Sequence, residues 1–504
     1  MLLGILGIIL SLALLITLAY RGMPVIIAAP IASVVALVFS GAPILASYTE
    51  IFMPALAGFV GNYFPVFLLG AIFGLLMTAT GYAESIARTV TRWIGARSAL
   101  MATVITSALM TYGGISLFVV AFVMFPLARE LFRMADIPKR LIPGTIALGI
   151  FTFTMTALPG SPQVQNIIPG QFFGTGGFAA PGIGLVGAAM IFGLGLLWLE
   201  YRRRTLMAKG EHFADTLDAI DVANGAQATG PVRHGKGVGP GAAVREEERV
   251  NAAVDTESNP DAQPTSAAVM TPPNALVPFL PLLVVFIVNF GCTLVLFPAL
   301  DWSYLSEEKF GGVTLQSRAG IWAVTVALVV AVLVIIALNA RHFRELRKAF
   351  ADGAKGAMLP IFSTGSEVGY GAVVASVAAF AVIRDSVFNL GGSALVTSVV
   401  STSITAAITG SSSGGMTIAL NAFGEQLRQM AVDQGVSLEA MHRLTAMAAG
   451  GLDTLPHSGA VVTLLIVCGM THRQSYKDIG MVTLVIPVIT VAVLTTVASF
   501  TGAF

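Results

Sequence analysis

The chain of 504 residues is 55% apolar and only 11% charged, with 28 basic and 27 acidic side chains. A soluble domain carries about 25% charged residues, so this chain lacks the charge to cover a water-facing surface and reads as a membrane protein. A net charge of +1 offers no basic face for nucleic acid. No Walker loop, H-E-x-x-H or C-x-x-C points to nucleotide or metal chemistry, so no cofactor is expected. Cys292 and Cys468 lie far apart in apolar segments and make no disulfide framework.

Apolar runs near the roughly 20 residues that cross a hydrocarbon core fall at about 2–20, 23–41, 64–81, 98–131, 142–170 and 179–199. Six more follow at about 275–299, 319–340, 357–383, 393–425, 442–470 and 480–502. The expected fold is therefore an all-α polytopic membrane protein with two membrane halves, 1–204 and 273–504. The first run has no basic residue before it and no cleavage site after it, so it reads as a retained span; Arg21 follows, which places the N-terminus outside. Between the halves, residues 205–272 turn rich in Asp, Glu, Gly, Pro and Ala, the composition of a disordered linker. Arg202, Arg203 and Arg204 precede it and put it on the cytoplasmic side.

Basic residues gather at 82–97, 129–140, 341–355 and 472–477, which assigns those loops to the cytoplasm. The run 98–131 is basic at both ends and must turn back, with Thr111, Tyr112, Gly113 and Gly114 at its middle. A re-entrant hairpin opening inward is expected there. Its partner, 393–425, is interrupted by Ser411, Ser412, Ser413, Gly414 and Gly415, and has both ends outside. The halves are thus expected to be inverted repeats, each of about five spans plus a hairpin and a broken helix. Ile86, Val90, Trp93 and Ile94 opposite Arg88 and Arg92, and Phe343, Leu346 and Phe350 beside Arg344 and Lys348, form amphipathic faces for the inner surface.

Each half carries G-G-x-[Ser/Thr] and then L-P-x-S: Gly113, Gly114, Ser116 with Leu158, Pro159, Ser161, and Gly414, Gly415, Thr417 with Leu455, Pro456, Ser458. Pro159 and Pro456 sit inside long apolar runs, where proline removes a backbone donor and breaks the helix. Unwound backbone at membrane depth survives only against protein or a water-filled cavity, so the two hairpins and two breaks should meet at one central site. Half-helix N-termini aimed at that site offer free N–H groups and partial positive charge, which suits a carboxylate. Inverted repeats of this kind point to a secondary transporter.

The expected substrate-binding residues are Gly113, Gly114, Ser116, Ser161, Gln163, Asn166, Ser413, Gly414, Thr417 and Ser458. Thr156, Gln165, Ser411, Ser412, Asn421 and Thr454 add to the polar crowd at the breaks. Ionisable groups in the interior reduce to Glu367, Asp453 and His457, and a charge there costs at least about 2.5–3.5 kcal/mol. These are the expected proton-coupling residues, His457 foremost because its ordinary pKa is near 6.5.

The stretches Thr111 to Phe125 (TYGGISLFVVAFVMF), Asp136 to Gly144 (DIPKRLIPG), Thr154 to Pro169 (TMTALPGSPQVQNIIP) and Gly451 to Gly459 (GLDTLPHSG) resemble the gluconate permease (GntP) family of the ion transporter superfamily. The resemblance covers essentially the whole chain apart from the linker, whose length and acidity depart from the compact family pattern. It implies proton-coupled uptake of a small sugar acid or hydroxy-monocarboxylate across a bacterial inner membrane through paired hairpins and broken helices. Within the family the sequence is closer to 3-hydroxybutyrate permeases than to gluconate transporters. The expected partners are thus a small organic carboxylate, protons and the lipid bilayer, with a homodimer as one option for assembly. Two rival functions remain open at this stage: a sodium-coupled carboxylate carrier or cation antiporter, and an intramembrane hydrolase using Asp453 with His457. The hydrolase lacks a second well-placed carboxylate.

Overall fold

The computed structural model describes residues 2–20, 23–94, 98–115, 117–216, 274–310, 313–382, 393–456 and 458–501. Ser116, His457 and the linker from 217 to 272 lie outside the described residues. Among the described residues the chain is helical, with no strand. The first half comprises α1 (Leu2–Tyr20), α2 (Val25–Ser40), α3 (Ile44–Ala79), the amphipathic α4 (Tyr82–Ile94), the hairpin arms α5 (Ala99–Tyr112) and α6 (Leu117–Met134), the broken pieces α7 (Ile142–Ile150) and α8 (Ile168–Phe173), and α9 (Pro181–Ala208). The second comprises α10 (Val277–Ala299), α11 (Leu315–Leu338), the amphipathic α12 (Phe343–Gly356), α13 (Met358–Ser376), the arms α14 (Ala394–Thr409) and α15 (Ser412–Asp433), the broken pieces α16 (Leu438–Leu452) and α17 (Gly459–Cys468), and α18 (His472–Phe500).

Length separates the spans from the half-helices. At 1.5 Å per residue, the 28 residues of α9 reach about 42 Å and cross a core of about 30 Å, whereas the 14 residues of α5 and 16 of α14 reach only about 21 and 24 Å. Those two arms must turn back inside the layer. α17 has 10 residues and α7 has 9, so each is a half-helix.

The repeat is visible in the packing. α1 lies on α2 as α10 lies on α11, and α2 meets α13 as α11 meets α3. α3 and α13 occupy corresponding places and touch each other. A Cβ at Gly365 would meet Leu56 and Val60, and one at Gly369 would meet Phe52, so α13 ascends where α3 descends. Counterpart helices running antiparallel are what an inverted repeat requires. The amphipathic α12 docks where α3 ends, Gly353 sitting against Ile72, so α12 and α4 share one face of the molecule. Buried polar bonds also staple the halves together. Arg202 on α9 pairs with Asp478 on α18 at 2.7 Å, and Trp198 donates to the same carboxylate.

Three boundaries differ from the sequence expectation. The third span begins at Ile44 rather than 64, running through a π-helical stretch Tyr48–Phe52 and past Pro65. Hydropathy falls at Asn62, but that amide accepts a 2.7 Å hydrogen bond from Arg318 on α11 and so costs the helix little. The structured first half extends beyond 204: α9 continues to Ala208, and a turn at Phe213–Asp215 packs on the base of the first hairpin, where the Phe213 N–H donates to Asp136. In the second hairpin, residues 412–415 do not interrupt the helix, because they are its first turn. The chain reverses at Gly410, in left-handed conformation at φ 64°, and Ser411 caps α15 by accepting from the Gly414 N–H.

The last difference re-aligns the repeat. Gly113 and Gly410 are the residues that close α5 and α14, and each lies 46 residues before its proline (159 − 113 and 456 − 410). The glycine pairs themselves are not equivalent. Gly113 and Gly114 form the turn of the first hairpin, with Gly114 at φ 95°, while Gly415 lets α15 approach α14, since a Cβ there would fall 2.3 Å from the Ala406 Cα.

Candidate functional site

Around Pro159 the backbone leaves helix from Ala157 to Gln163, and its polar groups must find partners inside the protein. The Tyr112 hydroxyl, at the tip of the first hairpin, donates to the Pro159 carbonyl at 2.6 Å, and Gln163 returns a bond to the Thr111 carbonyl at 2.8 Å. Asn289 on α10 donates to the Gly160 carbonyl at 2.9 Å, and the Ser161 hydroxyl donates to Thr154 O at 2.6 Å. Asn166 donates to Ser161 O and Gly177 O. The contacts of the first break with its own half and with α10 thus run between neutral groups.

Much of it is held by two residues of the other half. Arg443, wholly buried on α16, donates to Ala179 O, Thr156 O, Gly177 O and the Asn166 side-chain oxygen, the last at 2.6 Å. His442 beside it donates from Nε2 to the Asn166 carbonyl, which leaves Nδ1 to accept from the Thr175 hydroxyl at 2.7 Å. Neither residue was among the expected interior groups. Each lies near the start of an apolar run, where a charge reads as belonging to a loop, and their partners are more than 260 residues away in sequence.

At the second break, Pro456 O accepts from His472 Nε2 at 2.9 Å and Thr454 O accepts from the Tyr476 hydroxyl at 3.1 Å. Ser458 takes the N-cap position of α17 with an extended backbone, is 2% exposed, and makes no side-chain cap.

The tip of the second hairpin joins the two breaks. The Ser412 hydroxyl accepts from Gln165 of the first break at 3.0 Å and lies beside the carboxyl of Asp453 in the second. The adjacent Ser411 hydroxyl lies beside the Glu367 carboxyl of α13. Gly414 leaves the space that Glu367 fills, since a Cβ there would lie 1.8 Å from Oε2. Glu367 and Asp453 are 6% and 8% exposed, and among the described residues Glu367 Oε2 and Asp453 Oδ1 have no hydrogen-bond partner. A buried carboxyl in that state is costly unless it is protonated or meets a ligand.

The expected residues therefore sort by position. Gln165, Ser412, Asp453, Glu367 and Gly414 converge at the second tip, and Gly113, Gly114 and Gln163 form the contact of the first tip with its break. Ser161 and Asn166 are committed to bracing. Thr417 turns its hydroxyl to Ser413 O within α15, and Ser413 is half-buried in the first turn. α15 begins at this point, so its free N–H groups and positive end face the same region.

No family model matches this sequence. Over 484 residues, 95% of each chain, it is 42% identical to the uncharacterized transporter YxjC of Bacillus subtilis (strain 168). Among solved structures it resembles the YdaH transporter of Alcanivorax borkumensis, with a TM-score of 0.51 over 91% of this chain and 89% of that one. At 14% identity that likeness speaks for the fold alone. At the identity and coverage shared with YxjC, the chain belongs to the same family of multi-pass membrane transporters.

Proposed function

We propose that this protein is a secondary active transporter that moves a small hydroxy-carboxylate, a gluconate-like sugar acid or 3-hydroxybutyrate, together with protons by alternating access across a bacterial inner membrane. The observation that carries the reading is Ser412: one hydroxyl at the start of α15, bonded to Gln165 of one break and beside Asp453 of the other. Hydroxyl, amide and backbone N–H donors at a positive helix end suit a carboxylate without a buried cationic side chain in contact with it. Asp453 and Glu367, each with one unpartnered oxygen, are the proton-coupling groups of this reading, and His457 stays with them from the sequence.

The sodium-coupled alternative would use backbone carbonyls freed at the breaks. Those of Pro159, Gly160, Pro456 and Thr454 are already accepting from Tyr112, Asn289, His472 and Tyr476, which favours protons. Uptake of labelled 3-hydroxybutyrate or gluconate into proteoliposomes, driven by an inward proton gradient without sodium, tests the proposal. A strict sodium requirement would overturn the coupling ion, and competition by a panel of short hydroxy acids would rank the substrates.

A further inference from the structure

We propose that the groove between the amphipathic helix α4 and the outgoing hairpin arm α6 is a binding site for one anionic phospholipid of the inner leaflet. The groove encloses about 700 Å³, within the roughly 300–1,000 Å³ of ligand-binding pockets. Its wall on α6 is apolar, formed by Val123, Pro126, Leu127, Leu131 and Met134, and Ala83 contributes from α4. Its rim carries Arg88 and Arg92, one turn apart on α4, with Glu84 and Glu130. An apolar trough beneath a charged rim is the shape of a lipid, acyl chain below and headgroup above.

The charges on the rim decide which headgroup fits. Glu84 is neutralised by Arg88 at 2.5 Å, and Glu130 by Arg133 at 2.6 Å. Arg92 has no ion-pair partner among the described residues and lies exposed at the mouth. The rim therefore keeps one uncompensated positive charge, and a phosphodiester is its complement. Depth agrees with this occupant. Trp93, next to Arg92, is 64% exposed and stacks on Phe279 with ring centroids 5.7 Å apart, and tryptophan favours the headgroup level of a bilayer. Basic residues of α4, α12 and the 129–140 loop lie on this same side, the cytoplasmic one by the charge rule, where anionic lipid meets polybasic surface. Because α4 follows span α3 and α6 belongs to the hairpin, a lipid lodged between them would touch both a membrane span and the transport site's own support.

The test uses the purified full-length protein in detergent, offered phosphatidylglycerol and phosphatidylcholine of equal chain length, with bound lipid read by native mass spectrometry. Wild type is expected to retain phosphatidylglycerol in preference. Arg92→Gln should cut that preference about five-fold, the contribution of one arginine near an anionic surface, Arg92→Lys should keep it, and Arg88→Gln combined with Arg92→Gln should abolish it. A fourth variant, Leu127→Ser, should weaken retention of both lipids by shortening the apolar trough. Millimolar inorganic phosphate should leave the lipid in place. Equal retention of the two lipids by wild type, an unchanged preference in a monodisperse Arg92→Gln protein, or displacement by inorganic phosphate alone would each overturn the proposal.

Discussion

At the first hairpin tip every bond to the neighbouring break runs between neutral groups, Tyr112 to Pro159 O and Gln163 to Thr111 O. At the second tip two adjacent serines each lie beside a buried carboxyl, Ser411 by Glu367 and Ser412 by Asp453. Both tips come from one repeat unit with the same 46-residue spacing to the proline, so the geometry was kept while the chemistry diverged. The first tip is braced, and the second carries ionisable groups. An inverted repeat does not have to divide its labour equally, and here the N-terminus of α15 beside carboxyls is where protonation can alter contacts.

The largest effect is expected from Arg443→Met, which strips the neutral side of its brace. It strands the Asn166 side-chain oxygen and the Ala179 and Thr156 carbonyls, each costing about 1–3 kcal/mol. Size-exclusion profiles should show loss of folded protein, and Arg443→Lys should not restore it, because a lysine cannot reproduce the planar fork. A monodisperse variant melting like wild type would mean that the first break stands without its brace.

Gly414→Ala compared with Gly113→Ala sharpens the contrast between the tips. The added methyl at 414 meets the Glu367 carboxyl, while at 113 it meets the free end of the Leu282 side chain, which can swing aside. Overpacking costs about 1–3 kcal/mol, and uptake rates should fall further for Gly414→Ala than for Gly113→Ala, with both proteins inserted. Equal losses would erase the distinction.

Asp453→Asn and Glu367→Gln should abolish accumulation driven by a proton gradient while leaving substrate exchange between equal pools, and Gln163→Ala should leave the driven accumulation ratio unchanged. Gradient-driven accumulation persisting in both carboxyl variants would remove the ionisable tip from the coupling.

The smallest effect lies at the cytoplasmic base of the first hairpin. Asp136, at φ 51°, accepts from the Phe213 N–H and from His212, which together hold its carboxyl below the usual range. The Phe213 ring lies under Lys139 at 4.5 Å. The carboxylate form favours the docked turn, so docking is complete above the ordinary value of about 3.9 and is lost as pH falls through the lower folded value. Asp136→Asn should speed amide hydrogen exchange at 211–215 at neutral pH and leave transport unchanged.

Much of this fold was legible in residue order. Apolar runs of bilayer length, prolines inside two of them, and basic loops at both ends of 98–131 are local consequences of hydrophobic burial and of a missing N–H. Those effects act on a few consecutive residues, so sequence alone placed most of the spans, the L-P-x-S breaks and the hairpins, but began the third span 20 residues late. It could not tell a glycine that turns the chain from one that admits a neighbour, which is why the Gly113 and Gly414 pairs were matched although the structure equates Gly113 with Gly410. Nor could it see that Asn62 is satisfied by Arg318, that Arg443 is buried against carbonyls of the opposite half, or that Ser412 brings Gln165 and Asp453 together. Satisfying a buried polar group depends on which distant backbone arrives beside it, and only the packed molecule decides that.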